Sequence, residues 1–291
     1  LFGIESYYSL DHVPQITGQN LPAAFEAVWN SLCKGINFSN ISADDLAFVY
    51  ENTLITPTTR KLFGTHSTPR QVAEYVVQRL DLHRCDPEKL RIYEPFAGAG
   101  VFLVSALRHL RDLLPMDWSD QQRHNFLINH IAGDEIEPFA CEVAKLSLIL
   151  ADYPNHNGWK IYEADMFEGN VLSERMGAHN IILCNPPFEA FSADDRTRYP
   201  EFKDCNSKAG AVLNVALDAH PIALGFVSPR SFIVTRQFLE QRQRIEKLYE
   251  SVEVVELPDR IFNASTVEAS IVIANERRSS PSSKRIAVRS T

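Results

Sequence analysis

The chain has 291 residues, of which 45% are hydrophobic, and it carries a net charge of −8 and five cysteines. This length and composition suit one large domain, and they include neither an apolar run of about 18 residues nor a secretory signal pattern. We therefore expect a cytoplasmic protein without a membrane span, and the scattered cysteines argue against a disulfide or zinc framework. The negative charge disfavours nucleic-acid binding except through a local basic cleft. Because residue 1 is Leu, we expect the chain to be a piece of a longer protein.

Residues 1–65 are predicted to form a helical N-terminal extension. Residues 21–33 carry apolar side chains at helical spacing, and Ser42 with Asp45 resembles a capping pair for a helix over 45–54. The next helix is predicted to begin with Thr68 as its N-cap, Pro69 in its first turn and Gln71 as the partner in a capping box.

From residue 90 onward, short apolar runs alternate with amphipathic helical stretches. The predicted strands lie at 91–95, 131–136, 160–162, 180–183, 223–228, 252–257 and 268–274, and the clearest helices at 102–114, 139–150 and 236–250. This alternation predicts a doubly wound α/β fold with a seven-stranded, mostly parallel sheet. The last two strands are joined without a helix, which favours antiparallel pairing. We expect a catalytic domain over 66–276 and a linker or tail over 277–291.

The first motif is Glu-Pro-Phe-Ala-Gly-Ala-Gly at residues 94–100, between a strand and a helix. A glycine turn there lets a ligand approach the backbone, although a plain strand-to-helix turn explains the glycines equally well. Val101, Phe102 and Leu103 follow Gly100, so the third glycine of a dinucleotide fingerprint is missing. No Walker lysine is present either. The motif therefore favours a nucleoside ligand without a pyrophosphate.

The second motif, Gly-Asp-Glu-Ile-Glu-Pro at residues 133–138, follows the second strand. A carboxylate at this edge can accept both ribose hydroxyls of a nucleoside. Its position favours Glu135 as the carboxylate that binds the ribose, and it places Ile136 beside the adenine ring. Asp134 and Glu137 remain alternatives, although a solvated acidic turn explains these two residues better.

The third motif is Asp165-Met166, after the third strand. The carboxylate of Asp165 suits an adenine amino group, and Met166 suits packing on the ring. Taken alone, an Asp at this position is more often a simple turn residue.

The fourth motif, Asn185-Pro186-Pro187-Phe188, follows the apolar strand at 181–184. Two prolines fix an extended backbone, which directs the Asn185 side chain and the Pro186 carbonyl toward one point. Two acceptors for the two N–H bonds of an aromatic amine pull its nitrogen toward tetrahedral geometry and free its lone pair. Phe188 is expected to stack on the base, a contact typically worth about 1–3 kcal/mol.

Together these motifs resemble the gamma-class N6-adenine DNA methyltransferases of bacterial restriction-modification systems. In that family a Thr-Pro helix precedes the glycine motif, and residues 64–72 (Gly-Thr-His-Ser-Thr-Pro-Arg-Gln-Val) stand in its place. The resemblance implies Asn185, Pro186 and Phe188 as catalytic residues, and Pro187 and Phe262 as contacts of the target base. The cofactor-binding set that motif and resemblance give together is Thr68, Glu94, Phe96, Gly98, Gly100, Glu135, Ile136, Asp165, Met166 and Asn185.

The resemblance further implies S-adenosylmethionine as cofactor and a flipped adenine in duplex DNA as target. A target-recognition domain or a specificity subunit is expected as partner, and no metal is expected. Two alternatives remain: methylation of another nitrogen, such as guanine N2 of ribosomal RNA or a protein glutamine, or a binding subunit inactive without its partner. In an open cleft the polar stretch 189–210 is expected to close over the base and cofactor. The alternative is a disordered surface loop, and the two are compatible in the absence of DNA.

Overall fold

The computed structural model describes residues 41–49, 68–258, 261 and 268–280. Its strands in chain order are β1 Ile92–Glu94, β2 Ile131–Glu135, β3 Lys160–Glu163, β4 Ile181–Cys184, β5 Ala223–Pro229, β6 Tyr249–Glu256 and β7 Ala269–Arg277. They form one sheet in the order β3-β2-β1-β4-β5-β7-β6. The first five strands pair in parallel, whereas β7 is antiparallel to both β5 and β6. All seven predicted strands and the antiparallel pairing of the last two are thereby confirmed.

Helices cover both faces of this sheet. They are α1 Ala43–Val49, α2 Arg70–Gln78, α3 Val101–Leu113, α4 Asp120–His130, α5 Pro138–Ala151, α6 Val171–Gly177, α7 Ala193–Arg198, α8 Lys208–Asp218, α9 Ser231–Val234 and α10 Leu239–Leu248. One core cluster joins the sheet to α2, α3 and α5 through residues such as Val76, Leu107 and Leu148. A second joins the opposite face to α6, α8 and α10 through residues such as Met176 and Ile245. The predicted doubly wound architecture is therefore confirmed.

Two helix predictions and one loop prediction need correction or completion. The predicted helix over 236–250 divides into a 3-10 turn, Arg236–Phe238, and α10, because Tyr249 already belongs to β6. Ser42 and Asp45 form the expected reciprocal capping pair, but the helix begins at Ala43, and residues 50–54 lie outside the described part of the chain. The stretch 189–210 is not a disordered loop, since it contains α7, the 3-10 turn Pro200–Phe202 and the start of α8.

The predicted capping role of Thr68 is also wrong. Pro69 is the N-cap of α2, and no side chain caps this end of the helix. The backbone N–H groups of Val72 and Ala73 donate to the carbonyl of Pro69 at 2.9 and 3.1 Å. The Thr68 hydroxyl is therefore available for a contact elsewhere in the fold.

Helix α2 lies close against the centre of the sheet. A Cβ at Gly225 of β5 would clash with Val76 of α2 and come within 3.1 Å of the Leu183 side chain. This close approach holds α2 over β4 and β5, so that Thr68 lies beside the carboxyl end of β4.

Of the predicted N-terminal extension, the structure describes α1. It packs on α5, where Leu46 and Ala47 contact the cluster that contains Ala140 and Val143. The domain limits at residues 65 and 276 stay predictions. Across the described residues, none of the helices has the length and apolar character needed to cross a bilayer.

Candidate functional site

The glycine motif forms a tight turn between β1 and α3. Gly98 and Gly100 have φ angles of +51° and +79°, in the left-handed region that side chains with a Cβ rarely adopt. A Cβ on Gly100 would also lie 3.2 Å from the Cβ of Ala144 in α5. Both backbone conformation and packing thus require glycine at position 100.

Glu135, at the end of β2, holds this turn in place. Its Oε2 accepts a hydrogen bond from the Gly98 amide at 2.8 Å, and its Oε1 accepts one from the Glu137 amide at 3.0 Å. Only 4% of Glu135 is exposed, and burial raises the pKa of its carboxyl against the opposing effect of these backbone donors. Glu135 therefore joins the ends of β1 and β2 at the edge of the sheet.

The other two acids of the second motif have partners within the fold. Asp134 is not in a solvated turn: it is 1% exposed and accepts a hydrogen bond from the Tyr93 hydroxyl at 2.7 Å. Glu137 is the N-cap of α5 and accepts from the amides of Phe139 and Ala140. These contacts give both residues structural roles and leave Glu135 as the acid beside the glycine turn.

Glu94, the last residue of β1, is 2% exposed. Burial and the neighbouring Glu135 raise the pKa of its carboxyl well above the usual range. Within the described residues, its Oε2 has no hydrogen-bond partner. A buried polar atom without a hydrogen-bond partner costs free energy, and a ligand that brings a hydrogen-bonding group would remove that cost.

A cavity of about 480 Å³ opens next to the ends of β1 to β4. Five of the predicted site residues line it: Phe96, Ile136, Asp165, Met166 and Pro187. Ile136 is 37% exposed, whereas Met166 is 2% exposed and lies 3.3 Å from the Tyr93 hydroxyl through its sulfur atom. The volume is in the range of small-ligand pockets, and the lining combines apolar residues with three carboxylates and two basic side chains.

The fourth motif follows β4 at the same edge of the sheet. Asn185 is 8% exposed, and its Nδ2 donates a hydrogen bond to Oγ1 of Thr68 at 2.9 Å. Pro186 is buried, while Pro187 and Phe188 are half-buried. Because the nitrogen and oxygen of an amide lie on opposite sides of its carbon, the bond to Thr68 directs Oδ1 of Asn185 away from α2.

Several cavity residues were not predicted from the sequence. Arg198, Tyr199 and Lys208 come from the stretch after the fourth motif and line the same cavity. The aromatic residues of that stretch were the available signal, since a disordered segment is poor in them. Phe262, the predicted second aromatic of the base pocket, lies outside the described residues. Among those that are described, no three His, Cys, Asp or Glu side chains group as metal ligands.

Comparisons with known proteins give one family. The model of the family described as N-6 DNA Methylase matches residues 41–288 of the chain. No curated protein matches the chain.

Solved structures share the fold at low sequence identity. The type IIL restriction-modification enzyme MmeI in complex with DNA has a TM-score of 0.70 at 15% identity, covering 100% of this chain and 49% of that one. The DrdV–DNA complex has a TM-score of 0.68 at 16% identity, covering 94% and 33%. A type I restriction-modification methyltransferase subunit from Streptococcus thermophilus has a TM-score of 0.57 at 19% identity, covering 87% and 53%. The chain thus spans about half or less of the length of these proteins.

Proposed function

The chain belongs to the N-6 DNA methylase family, and on this premise we propose that it transfers a methyl group from S-adenosylmethionine to the exocyclic N6 amine of adenine in DNA. The observation that carries the proposal is the position of Asn185-Pro186-Pro187-Phe188. The motif follows β4 directly, and its Pro187 lines the cavity together with Phe96, Ile136 and Asp165. An amine-activating motif and a nucleoside-sized pocket therefore share one edge of the sheet.

The residues around the cavity fit S-adenosylmethionine. Ile136, Met166 and Pro187 offer apolar surfaces for a flat base, and Asp165 offers an acceptor for an amino group. The glycine turn and Glu135 suit the ribose, and the buried Oε2 of Glu94 suits a hydrogen-bonding group of the ligand. Bound there, the cofactor supplies an electrophilic methyl group on a sulfonium sulfur.

The residues of the chain activate and orient the amine. Oδ1 of Asn185 and the carbonyl of Pro186 accept hydrogen bonds from its two N–H groups, which draws the nitrogen toward tetrahedral geometry. Phe188 stacks on the base and limits its orientation. The amine loses its proton only after it has gained the methyl group, so no strongly basic side chain is needed beside it. The catalytic contribution of the protein is therefore mainly orientation and hydrogen bonding.

We infer that the target adenine is flipped out of a DNA duplex. Asn185 and Pro186 accept hydrogen bonds from both N–H groups of the amine, and in a duplex one of these groups pairs with the opposite base. Partners that recognise the DNA sequence would be a specificity subunit or a C-terminal target-recognition domain, and Phe262 stays our candidate for the second face of the base. The proposal includes a role in a restriction-modification system and a cytoplasmic location. The role in restriction-modification is supported by the similar structures, which include restriction-modification enzymes and complexes with DNA.

A methylation assay with competing substrates tests the reaction. We expect the full-length protein to transfer labelled methyl groups to plasmid DNA, and digestion of that DNA to yield N6-methyladenine. Ribosomal RNA and a glutamine-containing release factor offered in parallel should stay unlabelled. Methyl transfer to either of them in preference to DNA would disprove the proposed substrate.

Calorimetry tests the cofactor site independently of activity. We expect S-adenosylhomocysteine, the demethylated product, to bind and NAD not to bind. The exposed Ile136 lines the cavity. Ile136→Ala should therefore lower the affinity for S-adenosylhomocysteine by about fivefold, because apolar contact is lost.

Val234→Ala is the matched control, because Val234 is an aliphatic residue that is 79% exposed on α9. It should leave the affinity unchanged. If Ile136→Ala and the wild type bind S-adenosylhomocysteine with equal affinity, Ile136 does not contact the base of the cofactor.

A further inference from the structure

Residues 189–207, which lie between the fourth motif and α8, form the post-motif segment. It is folded around Phe167, which follows β3 and the third motif. The ring of Phe167 lies 5.3 Å from that of Phe191, 5.8 Å from that of Tyr199 and 5.4 Å from that of Phe202. These three rings are 4%, 5% and 8% exposed and belong to the second core cluster, so the post-motif segment is anchored in the core of the domain. That core fixes the segment beside Asp165.

The post-motif segment contacts Asp165 through two donors. The Tyr199 hydroxyl and Nη2 of Arg198 each donate to Oδ2 of Asp165 at 2.8 Å. The backbone amide of Phe167 donates to Oδ1 at 3.0 Å. Burial and the hydrogen bond to Asp165 raise the pKa of Tyr199, so its hydroxyl keeps its proton and acts as the donor.

These contacts leave one acceptor position of the Asp165 carboxylate open and fix the direction in which it points. A carboxylate has about four acceptor positions, and three of them are occupied. The Asp165 side chain is only 8% exposed, and the residue forms part of the cavity wall. The remaining position belongs to Oδ1, so its direction depends on the two donors that hold Oδ2.

We propose that Tyr199 and Arg198 are positioning residues that fix Asp165 to recognise the 6-amino group of the cofactor's adenine. The inference rests on the proposed function, in which Asp165 faces that amine. It makes the post-motif segment, which follows directly on the amine-activating motif, a determinant of cofactor specificity. Tyr199 has the larger effect, because the Arg198 side chain is 65% exposed and its ion pair is screened by solvent.

The ratio of the affinities for an adenine compound and a hypoxanthine compound measures the positioning role of Tyr199 and Arg198. S-inosylhomocysteine carries a carbonyl oxygen where S-adenosylhomocysteine carries the 6-amino group, so it presents an acceptor to the carboxylate. Calorimetry on the full-length wild type should show a preference for S-adenosylhomocysteine of about tenfold or more. In Tyr199→Phe this preference should fall by roughly fivefold, because Asp165 loses one of its two fixing donors. Arg198→Gln should lower it by about twofold.

Arg196→Gln is the charge-matched control on α7. Arg196 donates to the backbone carbonyl of Lys203 rather than to Asp165, so its loss should leave the preference unchanged. In an Asp165→Ala background, Tyr199→Phe should have no further effect, since the two residues act through one bond.

The possible outcomes distinguish the proposed function from the positioning role of Tyr199 and Arg198. A wild type that binds neither compound contradicts the proposed function and this inference with it. A wild type that prefers the adenine compound, with Tyr199→Phe at the same preference, overturns the inference alone. Tighter binding of S-adenosylhomocysteine to Tyr199→Phe overturns it too, because Tyr199 would then compete with the cofactor for Asp165.

Discussion

Asn185→Ala is expected to reduce the rate of methyl transfer by roughly 10²–10³-fold and to leave cofactor affinity within about threefold of the wild type. In the proposed mechanism the amide oxygen of Asn185 accepts a hydrogen bond from the target amine, and that bond strengthens as the nitrogen becomes tetrahedral and positively charged. An interaction made mainly in the transition state affects turnover more than ground-state binding when it is lost. Single-turnover methylation of DNA by the full-length protein gives the rate, and calorimetry with S-adenosylhomocysteine gives the affinity.

Asn170→Ala is the matched control. Asn170 precedes α6, is exposed and makes no side-chain capping bond, so its loss should change neither quantity. An Asn185→Ala enzyme with a near-normal rate would mean that another group activates the amine. A rate and an affinity that fall in the same proportion would instead assign Asn185 to cofactor binding.

The sheet could be predicted from the sequence because each strand is signalled locally. An apolar run such as 181–184, followed by two prolines, has few alternatives to a buried strand that ends at Asn185. The parallel pairing then follows from the alternation with helices, and so does the meeting of the four motifs at one edge. The order of the strands does not follow from it. The antiparallel pair β6 and β7 was predicted from the lack of a helix between them.

Long-range side-chain contacts could not be predicted in this way. Thr68 and Asn185 are 117 residues apart, and Asp165 and Tyr199 are 34 apart. Nothing in either local sequence indicates the partner. Thr68 in particular precedes a proline and a helix, which is the usual setting of an N-cap, and the local pattern therefore gave the wrong role for its hydroxyl.

Composition was equally misleading for the post-motif segment. Its many polar and charged residues suggested an open lid or a disordered loop, yet Phe191, Tyr199 and Phe202 are buried around Phe167. A few aromatic residues are sufficient to fold the segment, because each buries a large apolar surface. The sequence shows the three aromatics but not the ring from another part of the chain around which they pack.

Thr68→Val tests whether the hydrogen bond between Thr68 and the fourth motif orients the amide of Asn185, the proposed catalytic group. Valine keeps the branched shape but removes the acceptor for Nδ2 of Asn185, which lies 2.9 Å from the Thr68 hydroxyl. Without that acceptor the amide can turn and present a donor to an amine that needs an acceptor. We expect the single-turnover rate of methylation to fall by roughly tenfold or more, because small errors in orientation are costly in catalysis. The affinity for S-adenosylhomocysteine should stay within about threefold of the wild type, measured by calorimetry on the same preparation.

Thr68→Ser separates orientation from packing. Serine restores the hydroxyl without the methyl group, so it should recover most of the rate if the hydrogen bond is what matters. The family resemblance implies a different role, in which Thr68 contacts the cofactor. In that case Thr68→Val would weaken S-adenosylhomocysteine binding as strongly as it lowers the rate, and the orienting role would be refuted. A loss of rate at unchanged affinity, rescued by serine, requires that Thr68 act through the Asn185 amide.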